Sequence, residues 1–192
     1  MSFTPNVNIC EPAKPNTSDW KSIKWNKVNR HVFSLQERIY YASRNDNKKK
    51  VRDLQRQLMR SSSPLLKAIK RVTQENKGKF TSGVDNFTAN SDRARGKLFN
   101  KLRCLKMKLH RPKPVLHKYI SKKKNGKTRS LGIPIIKDSV YQEIIRMALE
   151  PEWEAKFEPT SNGFRPKRRQ HDALKRNNYN IMSGNLVLDS RR

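Results

Sequence analysis

The sequence predicts an α+β fold in which a basic helical segment precedes a smaller region built on a β-hairpin and further helices. Three observations predict it. Through most of the first hundred residues, apolar side chains recur at three- to five-residue steps, the spacing of amphipathic helices. At Val115 the pattern changes to two β-rich runs, 115–120 and 129–136, on either side of a Lys-Asn-Gly turn at 124–126. After Asp138 the helical spacing returns.

Taken in order, residues 1–18 are rich in Pro, Asn, Ser and Thr and are expected to be a disordered leader. Residues 19–110 are expected to form a helical domain. Asp19 is a candidate N-cap for a helix starting at Trp20, with Ile23, Val28, Val32, Leu35, Ile39 and Ala42 as its apolar stripe. Lys21, Lys24, Lys27, Arg30 and Arg38 fall largely off that stripe. A polar break at 44–49 leads to a second helix through Val51, Leu54 and Leu58, then Leu65, Leu66 and Ile69. Pro64, after three serines, marks a new helix start or a kink. Residues 76–85 (NKGKFTSGVD) contain two glycines and no helical period, so a loop is expected. Ala94, Leu98, Leu102, Leu105 and Leu109 place a helix over 91–109, which Pro112 and Pro114 end.

Residues 111–192 make the second region. The hairpin tip carries Lys122, Lys123, Lys124, Lys127 and Arg129. Asp138 is a candidate cap for a helix over 139–150, which Pro151 ends or bends. A basic loop at 161–169 (SNGFRPKRR) and a helix over 171–182 follow, and 186–188 reads as the start of a strand.

Charge is the strongest compositional signal. The 192 residues hold 44 Lys plus Arg against 16 Asp plus Glu, a formal net charge of +28. Such an excess repels itself on compaction and favours an acidic polymer as partner. Nucleic acid is favoured over a membrane surface, because the cations are spread along the chain rather than gathered on one amphipathic helix. No run approaches the roughly 18 apolar residues of a membrane span, and residues 1–11 lack the basic-then-apolar pattern of a secretory signal; neither class is expected. Cys10 and Cys104 lie far apart, and His31, His110, His117 and His171 are scattered, so no zinc-ligand spacing exists. The 17 Asn and 25 Lys, both with A-rich codons, point to an AT-rich genome, as in organelles and some bacteria.

The wording of the chain is more specific than its charge. The segments DWKSIKWNKVNRHVFSLQERIYYAS, VTQENKGKFTSGVD (72–85), KPVLHKYISKKKNGKTRSLGIPIIKD (113–138), YQEIIRMALEPEWEAKFEP (141–159) and SNGFRPKRRQHDAL (161–174) resemble, in order, the N-terminal portion of group II intron reverse transcriptase/maturases. The resemblance implies an RNA-contacting extension, a first motif around Gly83, Val84 and Asp85, and a reverse-transcriptase fingers-like subdomain. It implies RNA or template contacts for Lys24, Arg30, Arg38, Arg71 and Lys79, and for Gly163, Phe164, Arg165, Arg168 and Arg169 in and after the G-F-R-P turn. It implies incoming-nucleotide contacts for Arg129 and for Lys122 or Lys123. Three positions depart from the family pattern: Ser121 and Asn162 replace a proline and a tyrosine, and Lys167 stands where glycine is usual.

Nucleotidyl transfer needs carboxylates that hold two Mg²⁺ ions. The sequence has no Asp-Asp pair, and by the resemblance Arg191, two residues after Asp189, takes the place of the first metal ligand. A guanidinium only donates hydrogen bonds and repels a cation. The acidic group Glu150, Glu152, Glu154 and Glu158 matches a structural stretch of the family rather than a metal site. His171 beside Asp172 is sequence adjacency, not a triad. Trp20, Trp25 and Trp153 are candidates for base stacking, although their helical spacing favours packing. The expectation is therefore an RNA-binding fragment assisting intron splicing without polymerase activity. It would need no cofactor, and Mg²⁺ only if a separate palm is supplied. The alternatives are one part of a split RNA-directed DNA polymerase, or a decayed reading frame. The expected partner is structured RNA, a group II intron above all, without a membrane. The expected home is a plastid or other organelle, with the chloroplast favoured and the bacterial cytoplasm as alternative.

Overall fold

Helix α1 (Trp25–Arg44) buries one stripe, Val28, Val32, Leu35, Ile39 and Ala42, and leaves the opposite side in water. In the computed structural model, which describes residues 20–104, 110–121 and 128–183, that stripe is the centre of the core. The helix starts five residues later than its spacing predicts. Trp20 instead lies in a short 3₁₀ turn, Trp20–Ser22, buried with its Nε1 donating to Gln74 Oε1 at 3.3 Å. Trp25 packs edge-on against it, ring centroids 5.3 Å apart. Packing of two indoles interrupts the helix where propensity alone would continue it.

Helix α2 (Lys48–Arg60) is capped by Asn47, whose side chain accepts from the Lys50 N–H at 3.0 Å. Helix α3 (Ser62–Lys70) is a fresh start, with buried Pro64 in its first turn, where a missing N–H is no loss. It passes directly into a π turn, Arg71–Glu75. Residues 76–90 form turns and extended chain, as their glycines predict. The segment is pinned through Arg95 on helix α4 (Asp92–Cys104). The Arg95 guanidinium, buried, donates to Thr73 Oγ1 (3.2 Å), Asp92 Oδ1 (2.6 Å) and the Asn90 carbonyl (2.8 Å).

Strands β1 (Leu116–Ser121) and β2 (Thr128–Ile133) pair antiparallel, with Leu116 opposite Ile133 and Ser121 opposite Thr128. Both faces of this ribbon are largely exposed. Residues 122–127 of the expected hairpin tip lie outside the described residues, as do the expected leader at 1–18 and the strand start at 186–188, while Arg129, expected at the tip, lies on β2.

Helix α5 (Ile136–Lys156) differs from expectation at both ends. Asp138 is not its cap. It sits in the first turn, 5% exposed, with Oδ1 2.6 Å from His110 Nε2 and Oδ2 accepting the Lys113 N–H at 3.0 Å. That carboxylate is spent on fixing the chain that leads into β1. Pro151 lies buried inside the helix and does not end it. A proline frees the carbonyl four residues back, here Met147, and Gln36 Nε2 of α1 donates to that oxygen at 3.0 Å. Helix α6 (Gln170–Met182) follows the basic loop and buries no residue. The core thus lies among α1, α2, α3, α4 and α5, with Ile39, Leu58, Ile69, Ile144 and Met147 at its centre. The result is an α+β molecule, mostly helical with one two-stranded ribbon. No described helix is long and apolar enough to cross a membrane.

Candidate nucleic-acid interface

The π turn widens one turn of backbone at the end of α3, where Arg71 and Glu75 are exposed and Val72 stays half-buried against the core. These residues, with 76–81, form one wall of an open groove of about 1070 Å³. The other wall is the foot of β2, Leu131 to Pro134, and the first turns of α5, with Ser139, Gln142, Glu143 and Arg146. The two walls are held in register by Gly83. A Cβ there would stand 2.9 Å from both Cα and N of Ile135, so only glycine admits this backbone approach.

Four cations line the groove, Arg71, Lys77, Lys79 and Arg146, against two carboxylates, Glu75 and Glu143. Arg146 is committed within the protein. It bonds Glu143 at 2.9 and 2.7 Å and Glu150 at 2.6 Å, and these partners hold its pKa above the ordinary arginine range, the Glu143 hydrogen bond foremost. Arg71 leans on the same Glu143 at 3.4 Å but is itself half in water. Lys79 donates to the Gln74 carbonyl at 3.1 Å and lies over Phe80. Lys77 makes no ion pair among the described residues. One turn before Arg71, Lys67 is held below the usual lysine range, first by burial and then by Arg146. The cations here are crowded, which an anion would relieve. Ser139, Thr81 and Gln142 add neutral hydrogen-bonding groups, and Leu131, Ile133 and Pro134 an apolar strip. Such a groove suits a sugar-phosphate strand.

Of the residues predicted from sequence, the structure brings Arg71 and Lys79 together here. It does not bring the others. Lys24, Arg30 and Arg38 are exposed at the start and on the outer side of α1. Arg38 borders a separate cleft of about 360 Å³ with Lys49 and Lys50. Arg129 is exposed on β2 opposite Ile120, beyond the groove residues of that strand. Lys122 and Lys123 lie outside the described residues, as do Asp189 and Arg191. Sequence reasoning missed Lys77 and Arg146. The signal for Arg146 was its spacing from Glu143 and Glu150, three and four residues away on one helix.

The G-F-R-P turn divides its residues between inside and outside. Arg165 departs from the expectation of a surface contact. It is 8% exposed, forks onto Glu154 (3.1 and 2.5 Å), and donates to the carbonyls of Glu158 (2.7 Å) and Ser161 (2.9 Å). The Glu154 hydrogen bond raises its pKa further, and the group also stacks over Phe157. Its donors are used within the loop. Phe164 beside it is fully exposed at φ 55°, and Lys167 takes φ 60°. Gly163, Arg168 and Arg169 are exposed.

The acidic stretch of α5 is likewise internally paired: Glu150 with Arg146, Glu152 with Lys156 and Gln55, and Glu154 with Arg165. Among the described residues no group of three or more His, Cys, Asp or Glu is placed to hold a metal ion. Trp20 and Trp25 pack, with Lys70 over the Trp25 ring, while Trp153 is half exposed.

Comparison with known proteins bears on this geometry. Residues 20–102 match the N-terminal domain of reverse transcriptase. The chain is 42% identical over 100 residues to the group II intron-encoded protein LtrA of Lactococcus lactis subsp. cremoris, a match covering 52% of this chain and 16% of LtrA. It is 39% identical over 109 residues to protein YkfC of Escherichia coli (strain K12), covering 55% of this chain and 28% of YkfC. Maturase-like protein 1 of Euglena gracilis is 33% identical over 171 residues, covering 87% of this chain and 37% of that protein. The chain spans well under half the length of these curated relatives.

Proposed function

We propose that this chain, a reverse-transcriptase N-terminal domain related to the N-terminal portion of group II intron reverse transcriptase/maturases, binds structured intron RNA and supports splicing by holding the folded RNA. The carrying observation is the groove between the π turn and the foot of β2, where Arg71, Lys77 and Lys79 face solvent between walls held in register by Gly83. Cations on a shaped, preformed surface favour a strand of phosphates over a diffuse anion. The net charge of +28 supplies the long-range attraction. This role requires no chemistry from the chain, and no nucleotidyl transfer by the chain alone is proposed. Support comes from the missing Asp-Asp pair and from the internal pairing of the α5 carboxylates.

Crosslinking of RNA co-purified with the protein tests this reading. Group II intron sequences should be enriched, and the crosslinked peptides should include 71–81 and 131–146. Crosslinks spread over the whole basic surface, on RNAs of every kind, would refute it.

A second reading, one part of a split polymerase, is favoured by a separate observation. Leu174, Tyr179, Ile181 and Met182 of α6 and Tyr119 and Leu131 of the ribbon stand exposed, an unusual load of apolar surface. Primer extension on addition of a separately expressed palm would select it. As for location, the Asn and Lys content and the Euglena relative support an organelle gene, whereas LtrA and YkfC support a bacterial one.

A further inference from the structure

Helix α1 carries on its outer side a surface that the groove does not use; none of the groove's lining residues belongs to α1. Opposite the buried stripe stand Arg30, Phe33, Glu37, Tyr41 and Arg44, with Arg38 at the margin. Phe33 is 65% exposed and Tyr41 56%, and the two rings are eight residues apart on one side of the helix. At 1.5 Å per residue they are separated by about 12 Å along the axis, the rise of roughly three to four stacked nucleotides at about 3.4 Å each. None of Arg30, Arg38 and Arg44 forms an ion pair among the described residues, and Glu37 is the one carboxylate among them.

We propose that this face of α1 binds an unpaired stretch of RNA, with bases stacked on Phe33 and Tyr41 and phosphates held by Arg30, Arg38 and Arg44. The inference rests on the RNA-binding reading above and specifies which RNA conformation this second surface takes. Exposed aromatic rings interleaved with unpaired guanidinium groups suit splayed bases, because every base offers a π-face and arginine meets both phosphate and ring. A continuous duplex keeps its bases stacked within the helix and offers the rings nothing. The face therefore discriminates single strand from duplex, where phosphate contacts alone do not.

The test uses the full chain, a single-stranded A-rich RNA of about 12 nucleotides carrying 2-aminopurine, and a duplex of the same length. Phe33→Ala with Tyr41→Ala should weaken single-strand binding about tenfold or more, abolish the 2-aminopurine quenching, and leave duplex affinity within about twofold. Phe33→Trp with Tyr41→Trp should retain both. Circular dichroism and melting should be unchanged, since both rings are exposed. An unaltered single-strand affinity in the alanine variant, or equal losses on both RNAs, overturns the proposal and leaves the groove reading standing. Failure of the unmodified chain to bind either RNA overturns both. A concentration-dependent dimer that the alanine variant loses would show that a second copy covers the rings, and would also overturn it.

Discussion

Gln36 shows how much of this fold depends on single polar contacts. Pro151 leaves the Met147 carbonyl without its helical donor, and the Gln36 amide supplies one from a different helix at 3.0 Å. Replacing Gln36 by Leu leaves that oxygen buried and unpaired, with an expected loss of about 1–3 kcal/mol in urea unfolding; an unchanged midpoint would mean the helix satisfies itself. Gly83→Ala places a Cβ against the Ile135 backbone and should cost about 1–3 kcal/mol while also misaligning the groove walls. Neither contact is legible in the sequence, because each joins residues more than fifty positions apart. Arg165 teaches the complementary lesson. In a basic loop it reads as a surface cation, yet its geometry makes it the clamp that presents Phe164 outward. Lys167 takes φ 60°, a backbone conformation that favours glycine.

At the scale of elements, apolar spacing located the helices well, and it failed where packing or a proline intervened. The two-tryptophan turn displaced the start of α1, and the glutamine donor let α5 run through Pro151 to Lys156. The β-rich runs on either side of the Lys-Asn-Gly turn located the β-ribbon. The π turn left no trace in the residues, and with it went the groove wall, which is why Lys77 was missed. Helices α2 and α5 are joined by Glu152, which accepts from Gln55 at 2.7 Å and pairs with Lys156 at 2.5 Å. Its pKa is lowered, chiefly by the Lys156 hydrogen bond. A carboxyl with a depressed folded pKa stabilises the protein fully above the unfolded value of about 4.3, and that stability is lost as pH falls through the lower folded value. Glu152→Gln should accordingly flatten the acid limb of the stability profile below about pH 5. Identical acid limbs in both proteins would show the pairing to be energetically silent.

Across the whole molecule, a core shared by five helices has to hold together a chain of net charge +28. Burial of apolar side chains opposes that self-repulsion, and the proposed RNA partner would relieve it. The charge was plain in the composition and is what favours an acidic polymer as partner. Composition could not say where on the surface a strand would lie, because that depends on which cations stay open to solvent after folding: Arg146 and Arg165 are consumed internally, whereas Arg71 is half in water despite its contact with Glu143, and Lys77 and Lys79 line the same groove. The most direct measurement is the affinity for a folded group II intron RNA from about 50 to 200 mM salt, compared between the unmodified chain and Arg71→Ala/Lys77→Ala/Lys79→Ala. The unmodified chain should lose about tenfold or more over that range, and the triple variant should bind more weakly with a shallower salt slope. Equal affinities and equal slopes for the two proteins would contradict the groove as the place where RNA is held.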